Sequence, residues 1–157
     1  MNASVDWMSR RRQGDRYMFL SEGEVVRVPS GSRNVPIIPP WVEQVGKRMG
    51  ELMQLGDNWD SYGGNAPGFL SLATMVNVLN AIMRPNTPAP SLVPSPSGHL
   101  QAEWHIDGID LEIEVLGARQ VIGSYSNPHL PLQSWDDRQF DLDFTDLVAA
   151  IRSLEPR

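Results

Sequence analysis

The sequence predicts an α+β domain in which two N-terminal helices and one C-terminal helix pack on an antiparallel meander sheet. Two observations carry this prediction: alternating strands joined by Asp107-Gly108, and three stretches with apolar residues at helical spacing. The chain has 157 residues, 41% of them hydrophobic, with five Trp and no Cys. A domain of this length buries about two thirds of its unfolded surface, so no disulfide framework is needed. The lack of Cys also excludes thiolate metal sites and cysteine nucleophiles.

The first 40 residues are predicted to be an extension, and 41–157 the core domain. Residues 17–28 hold two short apolar runs around Ser-Glu-Gly-Glu, which predicts a hairpin. The run Arg10-Arg11-Arg12 is interpreted as solvated charge, with phosphate contact as the alternative.

Two helices are predicted next, over 41–55 and 69–84. Pro39-Pro40 suits the start of the first, and Pro85 ends the second. The apolar positions that share a face are Val42, Val45, Met49 and Leu52 in the first helix and Leu72, Val76, Leu79 and Met83 in the second. Residues 85–98 contain five prolines and are predicted to be a stiff strap across the surface.

The segments 100–106 and 109–115 alternate apolar with polar residues, and Asp107-Gly108 suits a two-residue type I′ turn. One face of this hairpin pairs Trp104 with Leu111, Ala102 with Ile113, and Leu100 with Val115, and we expect it in the core. The other face pairs His105 with Asp110, Glu103 with Glu112, and Gln101 with Glu114.

The rest of the core domain is predicted as two strands and a helix. The strands cover about 120–125 and 139–144, and the helix covers about 145–154, with Asp143 or Thr145 as its cap. The residues expected to face inward are Leu147, Val148, Ile151 and Leu154.

The loop between the first two helices is the first candidate site. In one hypothesis Trp59 and Tyr62 stack on a ligand or anchor a partner while Asp57 and Asp60 form hydrogen bonds. In the other, Trp59 fills the core between the helices and Asp60 holds the loop's backbone N–H groups. Gly63 permits the irregular path in both. The loop lacks the glycine spacing and lysine of a phosphate-binding loop.

The polar hairpin face is the second candidate, formed by Glu103, Asp110, Glu112 and Glu114. Like charges opposite each other destabilise a sheet, so a cation is expected beside them. Three interpretations stay open. The face docks a basic protein, or it holds an acid/base carboxylate pair with His105, or it is a solvated face neutralised by Arg119 or Arg138.

No catalytic residue, metal site or cofactor is predicted. The three histidines, His99, His105 and His129, lack the spacing of zinc ligands on a helix. No Gly-x-Ser-x-Gly sequence marks a serine nucleophile.

Charge is distributed unevenly along the chain. Residues 1–48 hold eight basic and five acidic residues, a net of +3, whereas 49–157 hold five and fourteen, a net of −9. An acidic body disfavours direct nucleic-acid binding and favours basic protein partners, such as a nucleic-acid-binding protein or a nuclease. The start of the chain lacks a signal-peptide core, and no stretch approaches about 20 apolar residues, so we expect a cytoplasmic protein without membrane contact.

Residues 45–115 resemble a group of uncharacterised small bacterial proteins. The matching residues are Asn58-Trp59-Asp60-Ser61-Tyr62-Gly63, Pro67, Ser97-Gly98, Leu100, Glu103-Trp104 and Leu111-Glu-Ile-Glu-Val115. An acidic residue is common in the group where Ser97 stands here. The resemblance supplies no catalytic residues, but such proteins often lie among mobile or defence-related genes, which implies an interaction role.

The leading functional hypothesis is therefore a non-enzymatic acidic interaction protein: an antitoxin, an immunity protein or a phage-borne inhibitor. The alternative is a small enzyme or ligand-binding domain that uses the Trp59-Asp60 loop with Glu103 and His105. A third hypothesis is a self-associating structural subunit of a phage or mobile element. The sequence identifies no partner.

Overall fold

A computed structural model describes residues 16–19, 25–28, 38–141 and 143–156. The chain divides into two units, Met1–Ile37 and Ile38–Arg157. In the first unit, strand β1 (Arg16–Phe19) pairs antiparallel with β2 (Val25–Val28), as the hairpin prediction for 17–28 requires. The arginine run at 10–12 lies outside the described residues.

The second unit is an α+β domain, as predicted. Its described part contains three α-helices and one five-stranded antiparallel sheet, whose strands neighbour one another in chain order as in a meander. The elements are α1 (Pro40–Leu52), α2 (Phe69–Ile82), β3 (Ser91–Pro94), β4 (Leu100–Ile106), β5 (Ile109–Gly117), β6 (Gln120–Ser126), β7 (Trp135–Phe140) and α3 (Thr145–Ser153).

The pairing of β4 with β5 confirms the predicted register at all six residue pairs. Asp107 and Gly108 have φ angles of 52° and 77°, the left-handed backbone that a type I′ turn needs at both positions. Trp104 is 2% exposed, and Leu111 and Ile113 are fully buried. The apolar face of the hairpin therefore lies in the core.

Strand β3 was not predicted; residues 85–98 were interpreted as a stiff strap across the surface, and part of that segment is a strand of the sheet. It lies within that proline-rich segment and pairs Leu92 with Ala102 and Pro94 with Leu100. A proline cannot donate to a ladder, but β3 is an edge strand, where a missing N–H is tolerated. The high proline content thus concealed the strand.

Strand β7 covers 135–140 and not the predicted 139–144. Its middle residues are polar and exposed, so they give no alternating pattern. The register with β6 shifts between Gly123 and Tyr125, and Asp137 has a φ of 46°, which marks a bulge. Aromatic packing fixes the strand, because the Trp135 ring lies 5.7 Å from that of Tyr125 and 5.3 Å from that of Phe140.

The helix bounds differ from the predicted ones by at most three residues, and α2 and α3 begin where predicted. In α1, Trp41 is buried where Val42 was expected, and the Trp41 indole donates to the Arg84 carbonyl at 2.9 Å. This bond joins the start of α1 to the end of α2. In α2, Val78 is buried and Val76 is exposed. At the C-terminal helix, Asp143 accepts hydrogen bonds from both the N–H and the hydroxyl of Thr145.

All three helices lie on the apolar face of the sheet. Helix α2 packs on β4 and β5, and α1 contacts β3. Trp104 donates to the Pro88 carbonyl at 2.8 Å, and the Tyr125 hydroxyl donates to Ser153 of α3 at 3.0 Å. The polar face of β4 and β5 is consequently turned away from the helices.

Gly123 gives the first prediction. A Cβ there would lie 2.9 Å from the Glu112 carbonyl oxygen and 3.3 Å from the Trp135 ring. The backbone oxygen cannot move without breaking the sheet, so Gly123→Ala should lower the free energy of unfolding by roughly 1–3 kcal/mol.

Gly46→Ala is the matched control, since a Cβ at this mid-helix position meets nothing within 4 Å. It should raise the free energy of unfolding by about 0.5–1 kcal/mol. Urea titration followed by circular dichroism measures both. Equal stability of the two variants would contradict the packing described for β6 and β7.

Candidate functional site

The loop between α1 and α2 is held by its own side chains. Asp60 Oδ1 accepts hydrogen bonds from the N–H groups of Tyr62 and Gly64, each at 2.9 Å. These bonds favour the ionised carboxylate and lower the pKa of Asp60. Gly63, with a φ of 88°, donates to the side chain of Asn58 at 2.8 Å. The loop is therefore an ordered structure in which Asp60 is the central acceptor.

The aromatic residues of this loop have different environments. Trp59 is half-buried and lies outside the core cluster, so it does not fill the space between the helices. Its indole donates to the Asn65 carbonyl at 3.0 Å, and Asp57 accepts from the N–H of Ala66. Tyr62 is 93% exposed. The polar groups thus serve the loop itself, and the Tyr62 ring is open to contact.

The loop lies at the opposite end of β4 from His105. Asn65 bridges to Ser97, and its N–H donates to the Pro96 carbonyl at 2.9 Å, just before β4 begins. The five residue-to-residue steps from Leu100 to His105 extend roughly 16 Å along the strand. The structure brings Glu103 and His105 together but does not bring Asp60 to them.

The polar face of the sheet consists of cross-strand rows. Asp110 lies between His105 and Ser126, and Glu112 lies between Glu103 and Ser124. We call this surface the acidic face; its carboxylates are those of Glu103, Asp110, Glu112, Glu114 and, through its hydrogen bond from Ser124, Asp136.

Histidines are the groups beside these carboxylates. His105 donates from Nδ1 to Asp110 over 2.7 Å, and its Nε2 lies 3.6 Å from a Glu103 oxygen. The hydrogen bond that His105 donates to Asp110 is the main cause that raises the pKa of His105. At the other end of the face, His99 Nδ1 lies 3.2 Å from Glu114. Two imidazoles therefore stand where the like-charge pattern calls for cations.

The arginines proposed as neutralising groups are elsewhere. Arg138 pairs with Asp146 of α3 at 2.6 Å and lies opposite Gly123, whose row belongs to the core face. Arg119 lies exposed in the turn between β5 and β6, and no ion pair within the described residues includes it. Neutralisation by Arg138 is thus wrong for this face.

The row of His105, Asp110 and Ser126 does not form a nucleophilic triad. The imidazole of such a triad must lie between the carboxylate and the hydroxyl, so that it can take the hydroxyl proton. Here Asp110 occupies the middle position. In the described part of the chain, no group of three or more His, Asp or Glu residues is arranged to hold a metal ion.

A groove of about 670 Å³ opens on the acidic face beside β7. Four carboxylates line it, from Asp110, Glu112, Asp136 and Asp137. Two of the acids belong to β7, whose position the sequence did not predict. The Trp-Asp-Asp run at 135–137 was the only sequence signal for them.

No family model, curated protein or solved structure matches this chain. Within the described residues, the helices are too short or too polar to cross a membrane.

His105 gives a prediction of pH dependence. Its folded-state pKa is raised above the ordinary value of 6.5, so its contribution to stability is full below that value. The contribution is lost as pH rises through the folded pKa. The melting temperature of the wild type should therefore exceed that of His105→Gln by more at about pH 5.5 than at about pH 9. His129→Gln, a change at an exposed histidine, is the control. If the difference in melting temperature between the wild type and His105→Gln does not depend on pH, the ion-pair geometry of His105 is refuted.

The loop gives a third prediction. A Cβ at Gly64 would lie 2.7 Å from Asp60 Oδ2, and moving that carboxylate breaks its two backbone hydrogen bonds. Gly64→Ala should lower the melting temperature and speed amide exchange at Tyr62. Gly56→Ala, where a Cβ meets nothing within 4 Å, should do neither.

Proposed function

We propose that this protein is a non-enzymatic interaction protein whose acidic face covers a basic surface of a partner protein. An antitoxin, an immunity protein or a phage-borne inhibitor acts in this way. The observation that carries the proposal is the acidic face itself: an antiparallel sheet surface turned away from all three helices and rich in carboxylates.

Five of the described basic residues of the second unit lie on or beside its helices. Lys47 and Arg48 are on α1, Arg84 follows α2, Arg138 pairs with α3, and Arg152 is on α3. Apart from His99 and His105, the charged side chains of the acidic face are carboxylates. Such a surface raises the encounter rate with an oppositely charged protein and repels phosphates. This supports a basic protein partner, such as a nuclease or a nucleic-acid-binding protein, over nucleic acid itself.

Shape also supports the proposal. A sheet face with ordered strands changes little on binding, so few side chains lose freedom when a partner docks. Tyr62 provides an additional exposed aromatic ring. Its loop meets the chain just before the start of β4, near His99 and near Glu114 of β5. We assign Tyr62 the role of a secondary anchor and Trp59 that of its support.

The test measures association rate against ionic strength. Wild-type protein captures a partner from native cells, and that purified partner is then bound to each variant. The double variant Glu112→Gln and Glu114→Gln keeps shape and removes two charges from the acidic face. It should associate several-fold more slowly at low salt and show a weaker salt dependence.

The double variant Glu43→Gln and Glu51→Gln is the matched control, with the same change in net charge placed on α1. It should keep most of the wild-type rate. If wild type and both variants show one flat salt dependence, the acidic face is a solvated surface and the proposal fails. All three proteins should unfold at similar temperatures, because glutamine keeps the shape of glutamate and can still accept hydrogen bonds.

A further inference from the structure

Two carboxylates of the acidic face are already contacted by a titratable group of the chain itself. The His105 imidazole lies across the strands from Asp110, with 2.7 Å between Nδ1 and a carboxylate oxygen, and its Nε2 lies 3.6 Å from a Glu103 oxygen. A basic partner that uses these two carboxylates therefore meets an imidazole at the place where its own cation has to bind.

We propose that cationic side chains of the partner displace the protonated imidazole of His105 from Asp110 and Glu103, so that docking releases a proton and becomes stronger as pH rises. The inference rests on the proposed function and adds pH as a regulator of the same face. Its sign follows from charge. A protonated His105 offsets one carboxylate and repels the partner, whereas a neutral His105 does neither.

Exposure of the pair permits this exchange. The side chains of His105 and Asp110 are each 57% exposed, so that a cation of the partner reaches the carboxylate and the released proton passes to water. An exposed ion pair is only slightly more stable than its two hydrated members, because water screens the attraction. Replacing the imidazolium therefore costs little, and the partner's arginine or lysine gains the same carboxylates.

Carboxylates predominate among the other titratable groups around His105. Glu112 lies diagonally across from it on β5, and Asp107 belongs to the turn that joins the two strands. Strand β3, on the other side of β4, contains no titratable residue. His129 follows Pro128, which lies beside the same turn. The negative surroundings stabilise the proton on His105 in the free protein, and a bound cation offsets them.

Proton release and pH dependence are two measures of one coupling. If docking favours the unprotonated imidazole, loss of the proton must favour docking by the same factor. The affinity therefore rises with pH between the pKa of His105 in the complex, which is the lower one, and its pKa in the free protein. Well below and well above that interval His105 contributes no pH dependence, because its protonation is then the same in both states.

The experiment uses octa-arginine as the probe, since guanidinium groups keep their charge at every pH of interest. Its affinity for the full-length protein is measured at about pH 5.5 and about pH 8.5, and the histidine ring protons are followed by NMR over the same range. The signal that is lost in His105→Gln belongs to His105. Octa-citrulline, which has nearly the same shape without the charge, is the comparison peptide.

Octa-arginine should lower the pKa of His105, and octa-citrulline should leave it unchanged. The affinity of octa-arginine for the wild type should rise several-fold, up to about tenfold, between the two pH values, because one like-charge contact is lost. His105→Gln has no titrating group at this position, so its affinity should change less. His129→Gln is the matched control and should keep the wild-type pH dependence.

The inference is overturned if octa-arginine leaves the pKa of His105 unchanged, or if His105→Gln keeps the wild-type pH dependence. A captured partner whose association slows with Glu112→Gln and Glu114→Gln, while octa-arginine leaves His105 unchanged, would reject the proton exchange and retain the proposed function. A flat salt dependence of that partner would reject the proposed function. A lowered pKa of His105 would then be a response of the acidic face to cations in general, and the role of His105 in docking would be rejected as well.

Discussion

The two-residue turn at Asp107-Gly108 sets the register of β4 and β5, and the two faces of the sheet follow from that register. A slip by one residue between the two strands would turn the apolar residues of one of them, Trp104 on β4 or Leu111 and Ile113 on β5, to the outside. Burying each such side chain contributes about 1.5–3 kcal/mol, whereas like charges across strands oppose folding by at most about 1 kcal/mol per pair. Hydrophobic burial therefore decides the register, and the carboxylates are gathered on one face as its consequence.

The histidines reduce the repulsion that this gathering creates. His105 spans two strands by contacting Glu103 beside it and Asp110 across from it. Because its pKa is raised, it carries positive charge over a wider pH range than an ordinary histidine. The negative charge of the acidic face is thus partly neutralised near its histidines and is greatest near β7.

The candidate anchor at Tyr62 and the groove lie toward opposite ends of β4, so a partner that uses both would have to extend along the whole strand.

Sequence reasoning succeeded where one local pattern decides the outcome and failed where a tertiary contact decides it. The alternation of apolar and polar residues, together with the Asp-Gly turn, predicted every residue pair of the β4–β5 hairpin that was named. Strand β3 was missed because its proline signals a loop, yet an edge position accepts it. Strand β7 was misplaced because a bulge interrupts its alternation of apolar and polar residues. The acids that β7 contributes to the groove were missed for the same reason. The burial of Trp41 in place of Val42 depends on the hydrogen bond from the Trp41 indole to the Arg84 carbonyl. This contact joins two helices, so the residue pattern of one helix cannot indicate it.

Both borders of the sheet are poor templates for an added strand. On β3, Pro94 offers no donor, and Arg48 of α1 already donates to the Leu92 carbonyl at 3.1 Å. On β7, the bulge at Asp137 twists the backbone out of line, and charged side chains flank it. Neither copies of this chain nor an extended peptide can readily prolong the ladder. Binding by addition of a strand is thereby disfavoured at both edges of this sheet. A ligand of the sheet is expected to bind through side-chain contacts.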